Sequence, residues 1–271
     1  MKKVLITGHK GFIGQNFLEK APNDWNISTY EWGEEFPKIK GLDWLIHLGA
    51  ISSTTETNVE KILEQNINSS IKIFEDCLKY DVNFQWSSSA SVYGKTDSFK
   101  ETDSCKPLNL YALSKYMFEE YVNKKYDKNI ISQGFRYFNV FGPHEDHKGF
   151  QASPIHNFTK QAKETKQINV FENSEYFRRD FVHVDKIIKT HIDMIDSDES
   201  GIWNVGNGFT ISFMNIAETI AKEYDAKINF IPMPKNIESH YQSYTCADMS
   251  KLQKSLIKVE KKKLIKSFVD I

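Results

Sequence analysis

The amino-acid sequence predicts a doubly wound α/β fold, in which helices cover a parallel sheet and a smaller, discontinuous C-terminal lobe follows. Two features of the sequence carry this prediction. Short apolar runs alternate with amphipathic helical stretches through the first half of the chain, as in repeated strand–helix–strand units. The apolar runs are also continuous instead of alternating with polar residues, which is typical of parallel strands covered on both faces.

The first half of the chain divides into strands and helices in a regular order. Strands are predicted at residues 3–7, 27–32, 42–50, 82–94 and 130–143, the fourth of them running into a serine-rich loop. Helices are predicted from residue 12 onward, at 57–80 and at 109–126. The segment up to Pro143 therefore accounts for most of the predicted sheet.

Beyond Pro143 the order is less regular, which indicates a second lobe. Helices are predicted near 151–166 and 212–224, and short strands near 168–171, 202–205 and 228–231. We assign residues 1–143, rejoined by about 177–205 and 240–250, to a larger dinucleotide-binding domain. Residues 144–176, 206–239 and 251–271 are assigned to a smaller substrate-binding lobe.

Charge and cysteine content narrow the classes of partner. The 35 Lys and Arg residues balance 36 Asp and Glu residues, without the excess of one sign expected of proteins that bind nucleic acid or membrane surfaces, so a small molecule is the expected partner. The three cysteines stand far apart, which predicts neither disulfides nor a metal site and suits a reducing compartment. Because no signal peptide and no apolar run of about 18 residues is visible, a cytoplasmic protein is expected.

Three glycines after the first predicted strand form a phosphate-binding motif. Gly8, Gly11 and Gly14 stand in a G-x-x-G-x-x-G spacing between a strand and a helix. The first permits a tight turn, the second lets the backbone approach a pyrophosphate, and the third lets the helix pack closely on the strand. This context predicts a bound dinucleotide and a Rossmann sheet, whereas a glycine-rich turn without a ligand is the alternative.

Residues near the glycine motif leave the choice of dinucleotide open. Glu31, 17 residues past Gly14, would accept a hydrogen bond from a ribose 2′-hydroxyl and repel a 2′-phosphate, which favours NAD. Lys10, inside the loop, would pair with that phosphate and favours NADP. The sequence therefore predicts NADP or NAD, tightly bound, without deciding between them.

A tyrosine and a lysine on the helix at 109–126 form the second chemical motif. Tyr111 and Lys115 lie one turn apart on one face because their spacing is Y-x-x-x-K. A tyrosine, with a pKa near 10, is a poor base at neutral pH until a nearby ammonium and a nicotinamide cation stabilise its phenolate. The pair predicts an acid/base tyrosine, and an ordinary half-buried aromatic is the alternative for Tyr111.

The two motifs together resemble the short-chain dehydrogenase/reductase superfamily. In that superfamily a Ser or Thr shares the reacting oxygen with the tyrosine, and Ser89 occupies its position, with Ser87 and Ser88 as alternatives. The roles implied are that Tyr111 moves the hydroxyl proton, Lys115 lowers the pKa of that tyrosine, and Ser89 hydrogen-bonds the reacting oxygen.

Longer segments narrow the resemblance to the extended branch, the NAD-dependent epimerase/dehydratase family, which modifies nucleotide-linked sugars. Segments that look like those of its ADP-L-glycero-D-manno-heptose 6-epimerases are 47–56, 106–122, 135–149, 171–184, 200–208 and 240–252. The resemblance implies an epimerase of a nucleotide-activated sugar, most specifically a heptose 6-epimerase that works by transient oxidation and re-reduction. It also implies a homo-oligomer.

The resemblance assigns further site residues by position. Those implied to line the cofactor cleft are Gly8, Phe12, Ile13, His47, Gly49, Ala50, Asn66, Ser87, Tyr111 and Lys115. Those implied to touch the substrate are Ser52, Ser89, Asn139, Lys148, His156, Arg179 and Tyr241, with Lys148 as a second acid/base. Several of these residues also have a simpler interpretation. His47 would be a core histidine, and Asn139 and Tyr241 would make structural hydrogen bonds. Arg179 would form an ion pair with Asp180 or Asp185, and Lys148 would only attract the substrate diphosphate.

This chain departs from the heptose epimerases at several positions. A long stretch between the second and third strands shrinks to residues 31–43, so part of the adenine pocket is expected to be missing or rebuilt. His144, Phe150 and His240 stand where the relatives have arginine, serine and arginine.

Two other functions remain as rivals of the epimerase. One is a nucleotide-sugar oxidoreductase or dehydratase of the same family, and the absence of an acidic pair after Ser89 argues against the dehydratase. The other is a non-catalytic cofactor-binding scaffold, and the intact Ser89, Tyr111 and Lys115 argue against it.

Overall fold

The computed structural model describes residues 1–126, 129–234 and 242–269, the last five of them by their backbone alone. The chain runs through β1 (Lys3–Thr7), α1 (Phe12–Lys20), β2 (Asn26–Tyr30), β3 (Trp44–His47), α2 (Val59–Ile62), α3 (Ser69–Tyr80), β4 (Asn83–Ser89), α4 (Leu110–Lys125) and β5 (Ser132–Tyr137). It continues through β6 (Asn139–Phe141), α5 (Pro154–Thr165), β7 (Gln167–Phe171), β8 (Arg178–Arg179), β9 (Phe181–His183), α6 (Val184–Met194) and β10 (Gly201–Val205). The remaining elements are β11 (Ile211–Ser212), α7 (Phe213–Tyr224), β12 (Lys227–Ile231), β13 (Tyr244–Thr245) and α8 (Ser250–Val269).

Six strands form the main sheet, in the order β10-β5-β4-β3-β1-β2. Every neighbouring pair in this sheet is parallel. The order runs outward from β1 in both directions, so the strand order reverses beside β1, where ligands bind in sheets of this kind. The predicted doubly wound parallel fold is confirmed.

Helices cover both faces of the sheet, which is why its strands are apolar throughout. Val4 and Ile6 of β1 are buried in one apolar cluster with side chains of α1 and α6. Leu5 lies between them in sequence and is buried in another cluster, with side chains of α3 and α4. Successive residues of a strand point to opposite faces, so both faces need an apolar side chain.

The predicted helix at 57–80 is interrupted. The chain forms α2, then a π-helical turn at Leu63–Asn68, and then α3. Within the turn, Asn66 is buried and its side chain bonds both the N–H and the C=O of Ile51, at 2.7 and 3.0 Å. A periodicity count does not detect such a turn, because the apolar spacing on each side of it is still helical.

The predicted strand at 130–143 also divides in two. β5 ends at Tyr137, and after Phe138 the chain continues as β6, which pairs with β9 instead of the main sheet. Two further small sheets join β7 to β12 and β8 to both β11 and β13. The elements beyond β5 alternate between main and small sheets, and the division into two domains stays a prediction.

Candidate active site

A cavity of about 450 Å³ opens at the carboxyl ends of β1, β4 and β5. Its walls are the glycine loop, the end of β4, the start of α4, the β5–β6 junction and a 3-10 segment at Asp146–Gln151. The predicted site residues that line it are Gly8, Gly11, Phe12, Ile13, Gly14, Ala50, Ser52, Ser89, Tyr111, Asn139 and Lys148. The fold thus brings residues from distant parts of the sequence into one cavity.

The glycine loop forms a cradle that has no room for side chains. Gly8 has φ +71°, and a Cβ atom there would lie 2.5 Å from the backbone of Gly49. A Cβ on Gly14 would lie 2.2 Å from the carbonyl oxygen of Gly8. Gly11 caps α1 without a side-chain hydrogen bond, and the first turn of α1 carries no acidic residue. The free N–H groups of that turn, at the positive helix end, fit the pyrophosphate of a dinucleotide.

A second, smaller cavity of about 110 Å³ lies beside the first, at the ends of β1, β2 and β3. Glu31 and Trp32 line it, together with Ile51 and with Gln65 from the π-helical turn. Glu31 and Trp32 belong to the shortened segment 31–43 of the sequence. This segment therefore builds one wall of a pocket, where a missing or rebuilt adenine site was expected.

Ser89 and Tyr111 both line the main cavity, and they are close enough for the serine to affect the pKa of the tyrosine. Burial raises the pKa of Tyr111, and the neighbouring Ser89 lowers it in part. Lys115, one turn further along α4, donates to the carbonyl oxygen of Ser87 at 3.0 Å and to its hydroxyl oxygen at 3.3 Å. Burial lowers the pKa of Lys115 to about 8. The predicted effect of Lys115 on the pKa of Tyr111 stays a prediction.

The three serines at the end of β4 have different partners. Ser87 accepts from Lys115, whereas the hydroxyl of Ser88 donates to the carboxylate of Glu119 at 2.5 Å. Ser89 is the one next to Tyr111, whose pKa it lowers in part, and it accepts from the hydroxyl of Ser91 at 2.9 Å. Of the three, the geometry favours Ser89 for contact with the reacting oxygen.

A buried ion pair under the site was not found by sequence reasoning. The carboxylate of Glu119 accepts from Arg136 Nε at 3.0 Å and from its Nη2 at 2.6 Å. Glu119 lies one turn after Lys115, and its charge partly restores the pKa that burial lowers. The arginine also lies over the ring of Tyr93, 4.7 Å from its centroid. The pair fixes α4 against β4 and β5, since a bidentate arginine–carboxylate contact has a defined geometry.

Tyr137 is a further cavity residue that sequence reasoning missed. Its hydroxyl lies 2.5 Å from Nε2 of His191, whose Nδ1 lies 2.7 Å from the amide oxygen of Gln85. The amide nitrogen of Gln85 donates to the carbonyl oxygen of His191, which fixes the orientation of that amide. His191 therefore donates from Nδ1 and accepts at Nε2, so the hydroxyl of Tyr137 donates inward and can only accept from a ligand.

Lys148 lines the main cavity from the 3-10 segment. Its ammonium lies 5.0 Å from the ring centroid of Phe12 and 3.8 Å from the buried carboxylate of Glu145. Burial lowers the pKa of Lys148, and Glu145 offsets part of that shift. Glu145 itself accepts from the N–H and the hydroxyl of Ser153, at 2.6 and 2.8 Å, which holds it under the lysine.

Two predicted cofactor residues, His47 and Asn66, already use both polar atoms of their side chains in hydrogen bonds within the protein. His47 is buried between the hydroxyls of Thr7 and Ser70, at 2.7 and 2.9 Å from its ring nitrogens. Burial lowers the pKa of this histidine to about 3, so it is neutral. Asn66 bonds the Ile51 backbone. The core interpretation of His47 is the one that its contacts favour, and both residues support the walls of the cavities.

Two predicted substrate residues, His156 and Arg179, are not among the residues that line the main cavity. His156 lines a neighbouring groove, where its Nε2 lies 3.6 Å from Asp146. Arg179 is buried in β8, 5.6 Å from the ring centroid of Phe213, outside the residues that line the main cavity. Tyr241 lies outside the described residues, as does His240. Their roles stay predictions.

Asp180 and Asp185, the two acidic residues considered as ion-pair partners of Arg179, also bond other groups. The carboxylate of Asp180 accepts from the backbone N–H groups of Asn207 and Gly208, at 2.6 and 2.9 Å. Asp185 pairs with Lys20 at 2.8 Å.

Two loops meet at the mouth of the main cavity. The side-chain amide of Gln151 donates to the hydroxyls of Ser53 and Thr55, at 2.6 and 3.2 Å. Gln151 and His147 both line the cavity, and neither was predicted as a site residue. In the sequence, only their position near Lys148 indicated that they would lie at the site.

Comparison with known proteins gives one family and several similar folds. Residues 22–206, more than half of the chain, match the model of the NAD dependent epimerase/dehydratase family. The fold is similar to that of the ADP-L-glycero-D-manno-heptose-6-epimerase of Helicobacter pylori, at a TM-score of 0.83 and 24% identity over 94% of this chain and 90% of that one. It is also similar to that of the UDP-N-acetylglucosamine 4-epimerase of Methanobrevibacter ruminantium, with a TM-score of 0.85 and 24% identity over 94% of this chain and 91% of that one. A UDP-Glc/GlcNAc 4-epimerase of Campylobacter jejuni matches with a TM-score of 0.78 and 25% identity over 94% of this chain and 93% of that one. Within the described part of the chain, no helix is long and apolar enough to span a membrane.

Proposed function

Because the chain belongs to the NAD-dependent epimerase/dehydratase family, we propose that it inverts a hydroxyl-bearing carbon of a nucleotide-activated sugar, most specifically the C6 centre of a heptose. The observation that carries the proposal is that Ser89 and Tyr111 stand side by side in the cavity that the glycine loop also lines. A proton-carrying oxygen and a phosphate cradle in one cavity are what a redox epimerase needs.

The chain's own residues have two roles, which are binding of the cofactor and transfer of the substrate proton. NAD or NADP, when bound, supplies the acceptor and the donor of one hydride. Gly8, Gly11 and the N-terminus of α1 would hold its pyrophosphate. Tyr111 takes the proton of the substrate hydroxyl while Ser89 hydrogen-bonds the same oxygen, and the buried ammonium of Lys115 stabilises the phenolate.

Inversion requires a second proton-transfer group. A cofactor that exchanged hydride through one face in both directions would require the ketone to turn over between the two half-reactions, and the substrate oxygen would then occupy a different place. A single tyrosine cannot serve both places well. Lys148 lines the same cavity, and burial lowers its pKa toward the range in which a lysine exchanges protons near neutrality.

The preference for a heptose rests on sequence segments. The "SSTTE" segment, with Ser52, and the "HKG" segment, with Lys148, resemble those of the heptose epimerases, and both line the main cavity. Similar folds with comparable identity act on UDP-sugars according to their names, so the nucleotide is part of the test. The proposal includes a cytoplasmic homo-oligomer, with three free cysteines that suit a reducing compartment.

The test is incubation of the purified protein with an ADP-heptose and with UDP-hexoses, followed by NMR of the products. Inversion without added cofactor is the expected result. Turnover that consumes NAD(P) stoichiometrically would instead indicate an oxidoreductase, and loss of water a dehydratase. Bound cofactor without turnover of any sugar would indicate a scaffold.

A further inference from the structure

The smaller cavity is where the adenosine end of the cofactor would lie. It shares Gly8 and Ala50 with the main cavity, so a dinucleotide whose pyrophosphate rests on the glycine loop reaches from one into the other. This step rests on the proposed function, because it assumes that a dinucleotide binds. Glu31, at the end of β2, then faces the adenosine ribose.

Two hydrogen bonds connect the glycine loop to the segment after β2, and a third lies within that segment. The N–H of Lys10 donates to Glu31 Oε2 at 3.0 Å, and the N–H of Glu31 donates to Glu34 Oε2 at 3.0 Å. The ammonium of Lys10 donates to Glu34 Oε1 at 2.7 Å. The cation that would favour a 2′-phosphate is therefore already paired with a carboxylate.

We propose that Glu34 makes this chain select NAD over NADP. A 2′-hydroxyl donates to Glu31 and leaves the Lys10–Glu34 pair intact. A 2′-phosphate brings about two negative charges next to two carboxylates, and it gains Lys10 only by separating that cation from Glu34. His9 and Tyr30 are further titratable groups here: His9 Nδ1 lies 3.9 Å from Glu31, and Tyr30 lines the smaller cavity, where burial and the charges of Glu34 and Glu31 raise its pKa.

Glu34 differs from Glu31 in how it acts. Glu31 faces the 2′ position itself, so its loss removes the hydrogen bond to NAD as well as the repulsion of a 2′-phosphate. Glu34 acts through Lys10, and its side chain and that of Lys10 are 45% and 63% exposed. A pair this exposed contributes little to stability, so the Glu34→Gln variant is expected to fold.

The experiment equilibrates the full-length protein with equal amounts of NADH and NADPH and identifies the bound species by native mass spectrometry. Dissociation constants from the nucleotide fluorescence quantify the ratio. Wild type should retain NADH. Glu34→Gln should shift the ratio toward NADPH by about tenfold, which is the effect of removing one charge and freeing another near a phosphate.

Matched variants distinguish the effect of the Lys10–Glu34 ion pair from the effect of losing any negative charge nearby. Glu35→Gln removes the same charge one residue away and should leave the ratio unchanged. Adding Lys10→Met to Glu34→Gln should abolish the shift toward NADPH. An NADPH preference in wild type, or equal shifts in Glu34→Gln and Glu35→Gln, would overturn the inference. Failure of both dinucleotides to bind would overturn the proposed function instead.

Discussion

The ammonium of Lys115 is bound to Ser87, 3.0 Å from its carbonyl oxygen and 3.3 Å from its hydroxyl. Both residues are buried, and Ser87 stands two positions before Ser89 at the end of β4. The lysine therefore links the helix that carries Tyr111 to the strand that carries Ser89. Its protonation state affects how it holds Ser87 and, in the proposed mechanism, whether a positive charge supports the phenolate of Tyr111.

The first prediction is that turnover falls as pH rises through about 8. Burial lowers the pKa of Lys115 to about 8. Since a lysine is cationic below its pKa, the ammonium that supports the phenolate is lost above that pH. The measurement is the pH profile of kcat, in which the Lys115→Met variant should be slow and lack this alkaline limb. A wild-type profile that stays flat from pH 7 to 10 would contradict the assignment.

The stability of the fold gives a second check on the same group. The folded pKa of Lys115 lies below the ordinary value of 10.5, so the unfolded chain binds more protons between about pH 8 and 10.5. The contribution of Lys115 to stability therefore rises across that window while its contribution to turnover falls. Chemical denaturation of wild type and Lys115→Met at pH 8 and pH 10 measures this difference.

The second prediction concerns Tyr111→Phe. The substitution removes only the proton-carrying oxygen, so turnover should fall by about 10²- to 10⁴-fold while the cofactor stays bound. Tyr121→Phe is the matched control, because Tyr121 lies on the same helix but its hydroxyl bonds Glu75 outside the cavity. Activity assays and mass spectrometry of bound nucleotide measure both effects. Near-wild-type turnover in Tyr111→Phe would remove the tyrosine from the mechanism.

Local motifs were predictable from sequence because their geometry is set within a few residues. Gly8 and Gly14 lie in one strand–turn–helix unit, and Tyr111 and Lys115 lie within one helical turn. The partners of these motifs were not predictable, because they come from separate elements. Glu119 bonds Ser88 across 31 sequence positions, and no periodicity joins the two.

The interruption of the helix at 57–80 has a similar cause. The side chain of Asn66 bonds the backbone of Ile51, 15 positions earlier, and the helix widens by one π-helical turn around it. Likewise, nothing in the sequence around Lys10 shows that its ammonium is paired with Glu34, 24 positions away. Such long-range polar contacts require the assembled fold.

The third prediction is that two buried histidines make the fold sensitive to acid. Burial lowers the pKa of His47 and of His191 to about 3. Because the folded pKa lies below the ordinary 6.5, the unfolded chain binds more protons between pH 6.5 and 3, and stability is lost as pH falls through that window. Each histidine should lower the free energy of unfolding by about 2 kcal/mol between pH 7 and pH 5.

Urea unfolding at the two pH values measures this loss. In His191→Gln the difference between pH 7 and pH 5 should shrink by about 2 kcal/mol, since glutamine does not titrate. An unchanged difference in His191→Gln would show that this histidine is not held neutral.

The last prediction concerns Lys148 and separates a proton-transfer role from a binding role. Lys148→Met keeps an unbranched side chain of similar bulk and removes the amine, together with its contact with the ring of Phe12. The fold and the bound cofactor should therefore persist. If Lys148 exchanges the proton in one half-reaction, kcat should fall by about 10²- to 10⁴-fold with little change in KM.

Lys160→Met is the matched control for this variant, because Lys160 lines the neighbouring groove instead of the main cavity. The reaction is run in deuterated water, and the wild-type product should carry no deuterium at the inverted carbon, because the returning atom is the hydride that left. Deuterium at that carbon would indicate deprotonation and refute transient oxidation. A Lys148→Met enzyme with raised KM and intact kcat would make the lysine a diphosphate anchor, as its positive charge alone would then account for its effect.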